Sequence, residues 1–112
     1  MNRNFNEFPA DPDGDALWVL ATRGIDLSKP REVDFSVLMP SPQSAIDFAI
    51  HILRCEEKVS CTRDPENTEF PMDVQVHPKI VPTHANIVQW QSELLAKAVS
   101  LGGKLGGWGF EA

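Results

Sequence analysis

The chain has 112 residues, of which 42% are apolar, and sixteen acids against ten bases give it a net charge of −6. That length fits one domain, and the apolar share is enough for a core without staples. The acidic balance excludes the usual nucleic-acid module, which needs Lys and Arg to neutralise phosphates.

No uncharged apolar run is long enough to span a bilayer. Met1 to Phe8 mixes Arg3 and Glu7 with asparagines and has no apolar signal core, so the expected location is the cytoplasm, with no membrane contact. Cys55 and Cys61 do not make a disulfide framework.

Residues 1–12, with Pro9 and Pro12, read as a flexible acidic arm ahead of a single domain over 13–112. Asp13-Gly14-Asp15 offers a cap and first-turn carboxylates for a helix over about 14–23, with Gly24 as terminator. Residues 32–39 alternate, with Val33, Phe35, Val37 and Met39 on one side and Glu32, Asp34 and Ser36 on the other, which is the pattern of a half-buried strand. Ser41 and Pro42 then open a helix to about Glu56, in which Ala45, Phe48, Ala49, Ile52 and Leu53 recur at helical spacing.

A second strand is expected over 58–63 with Val59 and Cys61 inward, and Asp64-Pro65-Glu66-Asn67 makes the turn. A third runs over 70–77 with Phe70, Met72, Val74 and Val76 inward. Thr83 caps the longest helix, about 84–101, striped by Ile87, Trp90, Leu94, Ala98 and Leu101. Gly102-Gly103 ends it, and residues 104–110 add a glycine-weakened last strand.

The order after the first helix is β-α-β-β-α-β, so the fold class is α+β: a two-layer, ferredoxin-like split β-α-β sandwich with an antiparallel sheet and an extra N-terminal helix. Two helices cover one sheet face. The other face, carrying Asp34, Ser36, Lys58, Ser60, Thr62, Asp73, Gln75 and His77, is left open as a stage for recognition.

Sharper chemistries fail on geometry. Recognition of RNA through this topology uses aromatics on the open face, whereas Phe35 and Phe70 have inward parity. Cys55, Cys61, His77 and His84 match no zinc spacing, and His84 reads as a capping-region residue touching a neighbour. Asp73 and His77 share a strand face but lie roughly 13 Å apart at strand rise, too far for a dyad. The glycines around Trp108 follow a helix, whose C-terminal dipole repels phosphate, and so more plainly serve to let Trp108 pack. No catalytic, cofactor or metal residues are expected.

Asp13-Gly14-Asp15-Ala16-Leu17, Val81-Pro82-Thr83-His84 and Gly107-Trp108-Gly109, in that order, resemble the family called regulator of ribonuclease E activity B, the ribonuclease E inhibitors. The resemblance covers about Asp13 to Phe110. It implies a ferredoxin-like sandwich that binds ribonuclease E and restrains its cleavage of RNA without cutting anything itself. Members with that role often continue into a long acidic tail. The chain stops at Ala112 and reads as a divergent member, with the acidic arm as the available substitute.

The expectation is therefore a non-catalytic regulator with a protein partner, a ribonuclease, as monomer or weak homodimer. Its contact residues are drawn from Asp34, Ser36, Lys58, Asp73, Gln75 and His77 on the sheet, Asp11, Asp13 and Asp15 in the arm region, and Trp108. The alternative is a small-ligand or dimerising sensor domain using the same sheet face.

Overall fold

The computed structural model describes residues 2–110, so Met1, Glu111 and Ala112 lie outside the description. Among the described residues the order is α1 (Pro12–Thr22), β1 (Arg31–Glu32), β2 (Asp34–Met39), α2 (Pro42–Arg54), β3 (Val59–Arg63), β4 (Met72–Val76), β5 (Lys79–Ile80), α3 (His84–Ser100) and β6 (Lys104–Gly109). Four strands form one sheet in the order β3-β4-β2-β6, and β1 and β5 form a separate two-stranded sheet. All pairings are antiparallel. β2 and β3 therefore run parallel with β4 between them, and α2 makes the crossover.

The core follows from parity. Along β2 every second side chain, Phe35, Val37 and Met39, is buried. These meet Val74 and Val76 of β4, Ala45, Phe48 and Ile52 of α2, and Ile87, Leu94 and Ala98 of α3. Both helices thus lie on one side of the sheet, and the mixed α+β architecture is as the alternation requires. Ser41 and Thr83 cap α2 and α3, their hydroxyls accepting from the amides of Ser44 (3.1 Å) and Asn86 (3.2 Å).

Four local expectations are corrected. The first helix begins at Pro12, not Gly14, because the cap is Asp11, whose carboxylate accepts the Gly14 amide at 2.7 Å. The strand expected over 32–39 is divided at Val33, whose amide donates to the Pro78 carbonyl at 2.9 Å and ties β1 to β5 instead. The third strand starts at Met72, since Pro71 has no N–H for the ladder; Phe70 stands outside it, its ring 4.5 Å from the Lys104 ammonium. Cys61 and Leu53 are exposed instead of inward. Cys61 does sit opposite Val74, but β3 is the sheet edge, and every residue of it after Val59 is exposed. Its thiol pKa is nonetheless pushed up, first by partial burial and then by the nearby Asp73 carboxylate.

Ahead of α1, Phe8 is buried with its ring 5.5 Å from Trp18. The Arg3 guanidinium donates to the carbonyls of Phe8 (2.9 Å) and Pro9 (2.6 Å) and pairs with Asp15 at 2.7 Å. α1 packs on α3, away from the open face of the sheet.

Candidate functional site

The face turned away from the helices is polar and shaped by a strip of glycines. Register places Ser36 opposite Gln75, and Gln75 opposite Ser60; Asp73 lies opposite Thr62 and Leu38. Asp34, Ser36, Asp73 and Gln75 line a shallow hollow with Gly106, Gly107 and Gly109 of β6. The Ser36 hydroxyl donates to Asp73 at 2.6 Å. A Cβ at Gly106 would lie 2.7 Å from the Ser36 oxygen, so Gly106 must stay bare there, whereas Cβ atoms at Gly107 and Gly109 would meet open space. Gly107, at φ 120, occupies a backbone region that side chains disfavour, and the β2–β6 register shifts beside it, between Ser36 and Val37.

His77 closes one end. Continuing the Phe35–Val76 register by one residue brings Asp34 beside His77. His77 Nδ1 lies 2.6 Å from Asp34 Oδ1, and its Nε2 lies 2.7 Å from Ser60 Oγ. Glu32 Oε1 is 3.7 Å from the same Nδ1, while Glu32 Oε2 takes the Lys58 ammonium at 3.0 Å. The order of groups, hydroxyl to imidazole to carboxylate, resembles that of a serine hydrolase. What that chemistry also needs is an anion-binding pocket beside the hydroxyl, commonly built at a sharp strand-to-helix turn. Ser60 instead lies within a regular, exposed edge strand and outside the residues that line the adjoining hollow. The array orients His77 through both ring nitrogens.

Of the expected contact residues, the structure gathers Asp34, Ser36, Asp73, Gln75 and His77 on this face, with Lys58 at its rim. Trp108 of β6 also borders the hollow, whereas Asp11 and Asp13 stand elsewhere, at the α1 end of the helical layer. Asp13 accepts from the Trp108 indole N–H (2.8 Å) and from Gln91 (2.9 Å). Asp15 is exposed and pairs with Arg3. Asp11 caps α1 and reaches His84 Nε2 at 2.8 Å. Asp11, just ahead of the Asp-Gly-Asp motif, and the His of Val-Pro-Thr-His thus meet across the α1–α3 junction.

The Asp11 carboxyl pKa is lowered, mainly by the Gly14 amide it accepts and next by His84. A carboxylate with a depressed folded pKa contributes stability above its unfolded pKa, and that contribution is lost as pH falls through the folded value. Asp11→Ala is therefore expected to lower Tm at pH 7. The gap from the parent should close as pH drops below about 4, near the ordinary carboxylate range. A gap that stays constant to pH 2 in thermal melts would refute the assignment.

The outer side of the helical layer was not singled out by the sequence pattern as a surface. Ile46, Ile50 and Leu53 of α2 are all exposed and lie at helical spacing, as do Val88, Leu95 and Val99 of α3. Among the described residues, no helix is long and apolar enough to cross a membrane.

The chain matches the model of the family described as regulator of ribonuclease activity B over residues 10–110. It belongs to that family. None of the curated proteins matches it. The matched span takes in Asp11, Asp13, His84 and Trp108, together with the whole of the sheet. The family is described as regulating ribonuclease activity.

Proposed function

We propose that this chain binds an RNA-degrading endonuclease of the ribonuclease E type and restrains its cleavage, using the open sheet face as the contact surface. The observation that carries the reading is the family match together with an uncovered face bearing the carboxylates Asp34 and Asp73. Half-exposed carboxylates accept hydrogen bonds from arginine in fork geometry, so a basic segment of the nuclease is the fitting partner. The bare backbone of Gly106, Gly107 and Gly109 lets such a segment approach closely. Lys58 and His77 frame one end and set its direction. The N-terminal acids contribute long-range attraction more than contact, since Asp11 and Asp13 hold α1 in place. The same acidity keeps RNA itself from being the ligand, and the cytoplasm is the compartment where such a nuclease is met.

In a cleavage assay on a structured RNA, the full chain is expected to slow the endonuclease in a dose-dependent manner. Asp34→Asn/Asp73→Asn should weaken that effect at least tenfold, while Ile50→Lys on the outer helical layer should leave it unchanged. Loss through Ile50→Lys alone would move the contact to the helices. Unchanged cleavage at saturating wild-type chain would sink the reading and favour the dimerising sensor domain, whose signature is a solution mass of two chains.

A further inference from the structure

We infer that Glu32, Asp34 and His77 form a binding site for a first-row divalent transition-metal ion such as zinc. The three offer one carboxylate oxygen each from Glu32 and Asp34 and one imidazole nitrogen from His77, all within 4.8 Å of one another. Metal–nitrogen and metal–oxygen distances of about 2.1 Å at open angles place neighbouring ligand atoms about 3.0–3.5 Å apart. The present Nδ1 separations, 2.6 Å to Asp34 and 3.7 Å to Glu32, bracket that range, so the site fills with small side-chain adjustments.

The backbone holds the three in position from separate segments. Glu32 and Asp34 are two apart in extended chain and so point the same way. His77 follows β4 directly, and the Val33 amide bonded to Pro78 locks the two segments together. The outer partners suit a ligating histidine. When Nδ1 binds a metal, the remaining proton sits on Nε2 and needs an acceptor, and Ser60 Oγ is there at 2.7 Å. A hydroxyl serves either way: it donates to Nε2 in the metal-free tautomer and accepts from it in the loaded one. Lys58 occupies Glu32 Oε2 and leaves Oε1 toward the histidine. With Arg31, which lines the same hollow, Lys58 balances the two carboxylates of the metal-free chain. Arg31, also on the rim, stacks its guanidinium 4.2 Å over the Phe110 ring. Imidazole in the ligand set selects zinc, nickel or cobalt over magnesium and calcium.

The site shares Asp34 and His77 with the proposed contact face, but metal binding is read without the nuclease, so its failure leaves that reading intact. The test is titration of the full chain with zinc chloride against a chromogenic chelator, in a Cys55→Ser/Cys61→Ser background that removes the thiols. One equivalent is expected to bind, at least tenfold more tightly than magnesium. Glu32→Gln and His77→Ala should each lose at least tenfold in affinity, and Ser60→Ala about tenfold through the freed imidazole. His51→Ala and His84→Ala should bind as the parent does. Glu32 is half exposed, so its variant keeps the test decisive if His77→Ala does not fold. Absence of stoichiometric binding, or affinity unchanged in Glu32→Gln, overturns the proposal.

Discussion

Phe48→Ala is expected to destabilise the chain by about 3–5 kcal/mol, the usual cost of emptying a buried phenylalanine site. Phe48 is 0% exposed and sits in the middle of the inward stripe of α2, where it packs into the cluster shared by β2, β4 and α3. Its removal leaves a cavity at the junction of both layers, bounded by strands that cannot collapse without breaking their ladder. Against a total stability of about 5–15 kcal/mol for a domain, the variant has little left at physiological temperature. Ile50→Ala, two residues along on the exposed side, should change stability by no more than about 0.5 kcal/mol. Urea unfolding of both variants checks the pair. Equal losses would mean that α2 is turned differently from the face that carries Phe48.

The second large effect is Gly14→Ala, and its sign is the informative part. Within a helix, alanine is intrinsically better than glycine by about 1 kcal/mol, so propensity alone predicts stabilisation. Here a Cβ at Gly14 would lie 1.9 Å from the Pro9 carbonyl oxygen and 2.8 Å from other Pro9 backbone atoms. Backbone cannot step aside as a side-chain tip can. The segment carrying Phe8 and Arg3 must lift off α1, or α1 must shift on α3. A loss of about 3 kcal/mol, at the upper end of overpacking, is expected. Thermal melts should show it together with increased Trp18 exposure by fluorescence quenching, because Phe8 covers that ring. A Tm at or above the parent value would show that the Pro9–Gly14 contact does not form.

Much of the architecture was legible because parity and periodicity are local signals. The alternation of Val33, Phe35, Val37 and Met39 and the helical recurrence of Ala45, Phe48 and Ile52 report burial directly. What remained hidden was long-range register. Strand rise is computable from sequence and separates His77 from Asp73, its neighbour along the strand. The actual partners of His77, Asp34 and Ser60, lie on two other strands, and only the β2–β4 and β3–β4 pairings bring them together. The same holds for Asp11 with His84 and Asp13 with Trp108, contacts that span most of the chain. Cys61 is exposed for a related reason: parity gives the side of a sheet, but not that the strand lies at its edge.

The open face itself was anticipated, since three alternating strands with two helices leave one side uncovered. Its bare β6 strip was not, because Gly106, Gly107 and Gly109 read as packing aids for Trp108 until the strand was seen beside Ser36 and Asp34.

The central claim is that this face grips a basic segment of the nuclease, and equilibrium binding of the purified endonuclease measures it most directly. Immobilised wild-type chain should bind the enzyme with an affinity that falls steeply as salt rises, since charge pairs at such a face are screened. Asp34→Asn/Asp73→Asn should bind at least tenfold more weakly at low salt, with a flatter salt dependence. Wild-type and double-variant chains binding with equal affinity and equal salt dependence would contradict it.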